Sequence, residues 1–275
     1  MEYILANVRY WLIEHPLISQ FEWKENQTFG ASTQFLLTTF LTYLSLTFIL
    51  YITLIPTKST AKTPSTSSTL RFISTIHNLI LVILSFIMAV GCTISTISQM
   101  PNYRWIFCFP PNQTPPRGPV FFWAYVFYLS KLLEFVDTLL IILSKDTRRL
   151  SFLHVYHHAV VVVMCYLWLH TSQSLIPVAL VTNASVHTLM YAYYMMCTLG
   201  KRPPWKRVVT DCQIVQFMFS FGVSVVMLWF HFTGNGCSGI LGWVFNAVFN
   251  ASLLVLFTSF HTKNYAGRNK DKKKM

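Results

Sequence analysis

His154-Val-Tyr-His-His-Ala-Val-Val-Val-Val-Met-Cys-Tyr-Leu-Trp-Leu-His-Thr171, with Ile176-Pro-Val-Ala-Leu-Val-Thr-Asn-Ala-Ser-Val-His187 close behind it, decides the fold. The first stretch is apolar over nearly the length that crosses a bilayer core, about 20 residues. It nevertheless opens with three histidines. The second stretch is again apolar and again carries polar groups, Asn183 and His187. The turn between them is too short for anything but an antiparallel return. The pair therefore reads as two consecutive membrane crossings that bury imidazoles. An ionisable group inside a span is costly, and its default reading is functional.

Working outward, similar runs recur. Seven spans are expected, at about 34–55, 72–95, 120–144, 154–171, 176–198, 208–232 and 239–260. The 275 residues are 53% hydrophobic and only 11% charged, against about 25% charged in a soluble domain. One all-α integral membrane domain over 34–260 follows, with a lumenal or interfacial segment at 1–33 and a basic tail at 261–275. Residues 1–27 mix Arg9, Glu14, Glu22 and Lys24 among apolar residues and are not read as a cleaved signal peptide. The net charge of +12 is read as orientation signal, not nucleic-acid affinity, because no stacking or groove-reading element accompanies it.

Sixteen of the 21 Lys and Arg fall in segments after spans one, three, five and seven, and four lie on the other side. That split predicts a cytosolic C-terminus and a lumenal N-terminus. The tail lysines Lys272 and Lys273 match a dilysine retrieval signal of the endoplasmic reticulum, with a solvated or lipid-facing tail as the other reading. Asn26 and Asn112 begin glycosylation sequons in segments expected to be lumenal. Cys108 and Cys237 fall in two lumenal loops and are expected to form a disulfide, whereas Cys92, Cys165, Cys197 and Cys212 read as apolar packing.

The polar residues of the spans are grouped. Lys131, Glu134, Asp137 and Thr138 recur at helical spacing in span three. His154, His157 and His158 are expected on one face of span four. Asn183, His187, Tyr191 and Tyr194 line up in span five, and Thr210, Gln213 and Gln216 in span six. Counting helix rise puts His157, His187, Asp137, Glu134 and Gln216 about 12–17 Å from the basic side. One buried polar site opening to the cytosol fits this. Two chemistries suit it. Histidines from two spans can ligate zinc or iron, and membrane di-iron oxygenases do so, but with about eight histidines in boxes that this chain lacks. Alternatively, a neutral imidazole attacks a thioester and becomes an acyl-imidazole, with neighbouring histidines moving protons. Lys131 with Glu134 also reads as a structural ion pair. Gln213 with Gln216 also reads as interhelical glue, and His77 as a hydrogen-bonded structural residue.

Four motifs then stand in order: Lys131-Leu-Leu-Glu134-Phe-Val-Asp137-Thr138, His154-Val-Tyr-His157-His158, Asn183-Ala-Ser-Val-His187-Thr-Leu-Met190-Tyr191-Ala-Tyr193-Tyr194 and Thr210-Asp-Cys-Gln213-Ile-Val-Gln216. Together they resemble the ELO family of very-long-chain fatty acid elongases, the condensing 3-ketoacyl-CoA synthases, in wording nearest the plant branch. The likeness covers about 120–260 strongly and the first two spans only in hydropathy. His261 departs from the tyrosine common in the family. The resemblance implies seven helices, six of them closing a barrel around an acyl-chain tunnel. It implies condensation of a long-chain acyl-CoA with malonyl-CoA, releasing CO2 and CoA and requiring no cofactor. It implies His157 as the acyl-carrying nucleophile, His187 acting on malonyl-CoA, and His154 and His158 positioning or exchanging protons. Asn183, Gln213, Gln216, Tyr191 and Lys131 would line the site, with Glu134, Asp137 and Tyr194 beside them. The cations Lys145, Arg148, Arg149, Lys201, Arg202, Lys206 and Arg207 would meet CoA, or serve orientation alone. The rival reading is a di-iron desaturase or hydroxylase. Expected partners are the endoplasmic-reticulum bilayer and the ketoreductase, dehydratase and enoyl reductase of the elongation cycle, with a homo-oligomer allowed and nucleic acid excluded.

Overall fold

The structure, a computed structural model, describes residues 2–55, 67–146 and 148–266. Lys272 and Lys273 of the expected retrieval signal lie outside the described residues, as do Lys58, Lys62, Arg268, Lys270 and Lys274. Two short helices, α1 (Glu2–Arg9) and α2 (Pro16–Ser19), precede eight more: α3 (Thr33–Leu54), α4 (Ser68–Gln99), α5 (Pro119–Leu133), α6 (Phe135–Leu143), α7 (Phe152–His170), α8 (Ile176–Thr198), α9 (Lys206–Thr233) and α10 (Ile240–His261). Local sequence starts them. Ser32, Ser67 and Ser151 each accept a backbone N–H of the first turn, at Phe35, Leu70 and His154. Proline stands in the first turn of α5 and α8, where its missing N–H costs nothing.

Among the described residues, five helices are long and apolar enough to cross a membrane: α3, α4, α7, α9 and the stretch from Ile240 to Tyr265 that contains α10. The other two expected spans differ for distinct reasons. The span at 120–144 is interrupted at Glu134, which ends α5 and begins α6 with a flattened turn, φ −64 and ψ −14. The span at 176–198 is one helix of 23 residues, but its polar content keeps its hydropathy low. That content is tolerated because α8 packs against α4, α5 and α9, and only Ser185 of its residues is exposed. By contrast α3, α4, α9 and α10 turn Phe48, Phe72, Val215, Trp229, Leu241 and Val248 outward, as an apolar solvent requires.

Close approaches fix the bundle. At Gly91 of α4 an added methyl would overlap the Trp123 ring of α5, so glycine admits the indole. That indole donates to Leu12 O at 3.1 Å, which holds the N-terminal segment. The same segment reaches further. Trp23 is buried against Tyr125, Tyr128 and Tyr166, and two of those hydroxyls donate to Phe29 O and Gly30 O at 3.1 Å. Residues 21–31 thus cap one end of α5 and α7.

At that end three loops converge. Ser174 Oγ accepts from Phe109 N at 3.0 Å and donates to Ser238 O at 2.8 Å. Cys108 and Cys237, 129 residues apart, form a disulfide there. Asn26 and Asn112 are exposed in turns of positive φ. Gly239, φ +72, lies so close to the Gln173 backbone that a side chain is excluded. Lys145, Arg148 and Arg149 on the α6–α7 connection, Lys201 and Arg202 on the α8–α9 connection, and Lys206 and Arg207 in the first turn of α9 are exposed at the opposite end. Because the disulfide closes so long a loop, Cys237→Ser is expected to cost about 2–5 kcal/mol of stability. Thermal unfolding in detergent, with and without reductant, measures it. An unchanged midpoint would refute the assignment of a structural role.

Candidate active site

The interruption at Glu134 brings three charged or basic groups together. Lys131 and Glu134 are each 1% exposed and lie 2.7 Å apart, Nζ to Oε1. Nδ1 of His187, from α8, is 3.4 Å from both Lys131 Nζ and Glu134 Oε1. Lys131 Nζ also stands 4.2 Å above the Phe127 ring. Burial makes each charge depend on the other, since an unpaired charge in this environment is very costly. With Nδ1 of His187 facing the pair, Nε2 is the nitrogen left for other partners. Glu134 Oε2 is buried with no hydrogen bond.

One turn further, Asp137 is shared. His77 Nε2 of α4 lies 3.1 Å from Oδ1, and the Tyr191 hydroxyl donates to Oδ2 at 2.8 Å. Beside it the Thr138 hydroxyl bridges the Tyr43 hydroxyl at 3.0 Å and His154 Nε2 at 2.9 Å. The ring of His158 lies 4.3 Å from that of His154, and its Nδ1 is buried without a partner. So α3, α4, α6, α7 and α8 contribute to two adjoining polar clusters, His77–Asp137–Tyr191 and Tyr43–Thr138–His154, set side by side by the neighbours Asp137 and Thr138.

His157 faces elsewhere. The expectation of one shared face for His154, His157 and His158 needs correction. At about 100° per residue, His157 and His158 diverge by that angle. Their rings are nearly perpendicular, 87°, and 5.4 Å apart. His157 stacks on Phe249 of α10 at 6.2 Å. It lines a narrow cavity of about 30 Å³ between α7, α8, α9 and α10, whose wall includes Asn183, Gln216, Ser220 and Asn246. Its Nδ1 is buried with no hydrogen-bond partner. Asn183 donates to Gln216 Oε1 at 3.5 Å across the wall. His187 is not on that wall. It sits one helical turn along α8 from Asn183, held by Lys131 and Glu134.

Other expected site residues stand further out. Gln213 donates to Met190 Sδ at 3.4 Å and does not line the cavity. Tyr194 lies under the Arg149 guanidinium, 5.2 Å from ring centroid to Cζ. Arg207 Nε is 3.6 Å from Asp211, while Lys201, Arg202 and Lys206 are exposed. Tyr43, Ser220 and Asn246 are not among the site residues expected from sequence, and Asn250 with Ser252 reads there only as a sequon inside a span. An asparagine at 246 and another at 250 in an apolar run, one turn apart, is the signal that was present. Among the described residues no group of three or more His, Cys, Asp and Glu is disposed to share a metal ion. The imidazoles are dispersed onto Thr138, Asp137 and the Lys131–Glu134 pair. What the arrangement offers chemically is an unengaged imidazole on a cavity wall, backed by hydrogen-bonded imidazoles and a buried ion pair.

Known proteins with similar sequences bear on this geometry. "Fatty acid elongase 3-like" of Arabidopsis thaliana is 29% identical over 286 residues, covering 99% of this chain and 96% of its own. "Fatty acid elongase A" of Dictyostelium discoideum is 34% identical over 207 residues, 72% of this chain and 73% of its own. "Very long chain fatty acid elongase 5" of Mus musculus is 34% identical over 157 residues, 53% of this chain and 50% of its own. The ELO family, described as GNS1/SUR4, matches residues 28–274, and the chain belongs to that family.

Proposed function

We propose that this chain is a fatty acid elongase of very-long-chain fatty acid biosynthesis, condensing a long-chain acyl-CoA with malonyl-CoA to give a 3-ketoacyl-CoA two carbons longer. The observation that carries the reading is His157, unengaged at Nδ1, on the wall of a narrow cavity in a chain of this family. The imidazole nitrogen attacks the acyl thioester carbon and CoA leaves as its thiol, taking a proton. Loss of CO2 from malonyl-CoA leaves an enolate. The enolate carbon attacks the acyl-imidazole carbon, forming the new C–C bond and releasing His157. Decarboxylation supplies the carbanion, so the reaction needs no redox cofactor or metal.

Roles for the neighbours follow from their contacts. Nε2 of His187, with its ring fixed through Nδ1, meets the malonyl thioester oxygen. His154, anchored by Thr138, and His158 behind it carry protons. Asn183 and Gln216 position the acyl group. The exposed cations Lys145, Arg148, Lys201, Arg202 and Lys206 attract the CoA phosphates.

The finer architecture belongs to the same reading. The chain crosses the membrane seven times, with α5 and α6 as one crossing and α8 as another. Six crossings enclose the channel, and α3, the most exposed of the long helices, lies outside it. The membrane is that of the endoplasmic reticulum, with the disulfide end lumenal, the basic end cytosolic and the remaining elongation-cycle enzymes as neighbours. The dispersed imidazoles favour this over a di-iron oxygenase, whose ligands must converge.

Purified protein given acyl-CoA and malonyl-CoA should release the 3-ketoacyl-CoA, detected by mass spectrometry. With acyl-CoA alone, the intact protein should gain the acyl mass. Stoichiometric iron with a desaturated or hydroxylated product would overturn the proposal.

A further inference from the structure

The helix placed outside the channel, α3, nevertheless sends a polar side chain to the site. Of its 22 residues only Leu36, Tyr43 and Thr47 are buried. Tyr43 is 5% exposed, and its ring stacks on Phe135 of α6 at 4.2 Å and 19°. Its hydroxyl is 3.0 Å from Thr138 Oγ1, and that same oxygen is 2.9 Å from His154 Nε2. Thr138 is 2% exposed. A phenol, an alcohol and an imidazole thus stand in file from α3 through α6 to α7.

Counting protons gives the file a direction. Two hydrogen bonds join the three groups, and each takes one proton. Tyr43 and Thr138 hold one each, and a neutral imidazole carries one on either nitrogen. If the phenol donates to Thr138, the Thr138 proton is left for His154 Nε2, and no hydroxyl proton is left over. Nε2 is then the acceptor, and the His154 proton sits on Nδ1. If His154 instead donates from Nε2, one hydroxyl proton is stranded. It is that of Tyr43 when Thr138 passes its own on, or that of Thr138 when both neighbours donate to it. Neither hydroxyl has a further hydrogen-bond partner among the described residues, and Thr47, the other hydroxyl beside the phenol, is not bonded to it. A buried donor left unmet costs about 1–3 kcal/mol.

The direction reaches the chemistry. A proton carrier gives its proton from the nitrogen that holds it. A free imidazole holds it on either one. With Nε2 kept as an acceptor, the proton that His154 can give is the one on Nδ1. A Tyr43 that only filled space would need its ring alone, and the stacking on Phe135 does not involve the hydroxyl.

Resting on the elongase reading, we infer that Tyr43 is a positioning residue for the condensation: through the Thr138 hydroxyl it fixes His154 in the tautomer with its proton on Nδ1. Tyr43 acts through its neighbours and has no contact with substrate in this scheme. A helix outside the channel thereby sets the protonation pattern of a histidine within the site.

The test uses the purified full chain in nanodiscs, with nitrogen-15 in its histidines. The ring-nitrogen resonances report which nitrogen of each neutral imidazole carries the proton, and loss of a signal in His154→Gln assigns His154. Wild type should show the proton on Nδ1. Tyr43→Phe keeps the ring and removes the hydroxyl, so Thr138 is free to accept and the proton should move at least partly to Nε2. With octadecanoyl-CoA and malonyl-CoA, kcat should fall about tenfold in this variant, while KM stays within about twofold. Thr138→Val should do the same, Thr138→Ser should restore both tautomer and kcat, and Thr47→Val should match wild type. A wild-type proton on Nε2 would overturn the inference, and this spectrum decides the matter if a variant fails to fold. So would a Tyr43→Phe protein with the wild-type tautomer and kcat. Either result leaves the elongase reading standing. A wild-type protein that elongates no acyl-CoA would overturn the elongase reading and, with it, the catalytic part of this inference, whatever the tautomer.

Discussion

Purified His157→Ala protein is expected to form no detectable 3-ketoacyl-CoA, a loss of about a thousandfold or more, while remaining folded. The fold should survive because His157 Nδ1 makes no hydrogen bond that truncation would strand. The other histidines do not substitute for it. His154 is bonded to Thr138, and His187 is held at Nδ1 by a buried ion pair. His158 stands at 87° to His157, with the cavity on the side of His157 alone. Intact-mass analysis after mixing with acyl-CoA checks the assignment independently of turnover. Wild type should carry the acyl group, and His157→Ala should not. A variant that still turns over would remove His157 from the nucleophile's role.

Hydropathy alone located the long helices, because lipid-facing residues such as Phe48, Trp229 and Val248 must be apolar whatever they pack against. It did not reveal the break between α5 and α6. At the break Glu134 meets Lys131 within the same turn and His187 from α8, and the second contact is a tertiary matter that hydropathy does not show. Helical spacing grouped Lys131, Glu134, Asp137 and Thr138, and the structure keeps them on adjoining contacts. The same spacing misassigned His157, since a motif of i, i+3 and i+4 spans a wide arc and two partners can claim its edges. His77 reads from sequence as a hydrogen-bonded residue, and Asp137 is its partner. Of the α9–α10 wall only Gln216 is expected from sequence as a site residue; Ser220 and Asn246 are not, and Asn250 reads only as a sequon inside a span. Single small amides in an apolar run look like interhelical glue until a cavity beside them is known.

Lys131→Met is expected to destabilise the fold by about 3–5 kcal/mol, more than the loss of any exposed ion pair in the chain. The reason is what remains. Glu134 is 1% exposed, its Oε2 already lacks a partner, and without Lys131 its charge has only a 3.4 Å approach from His187. Glu134→Gln should cost less than Lys131→Met, because the amide oxygen still accepts from Lys131 and no bare anion is left. The double variant Lys131→Met with Glu134→Leu should recover most of the stability, since removing both charges removes the desolvation penalty. It should not recover activity, because His187 then loses both groups that orient Nδ1. Thermal unfolding and turnover are measured on wild type and these three variants, with Glu134→Leu alone added to close the double-mutant cycle. Stability restored without turnover separates the pair's role in orienting His187 from its effect on the fold. A double variant as unstable as Lys131→Met would mean that packing volume, not charge, is what the site requires.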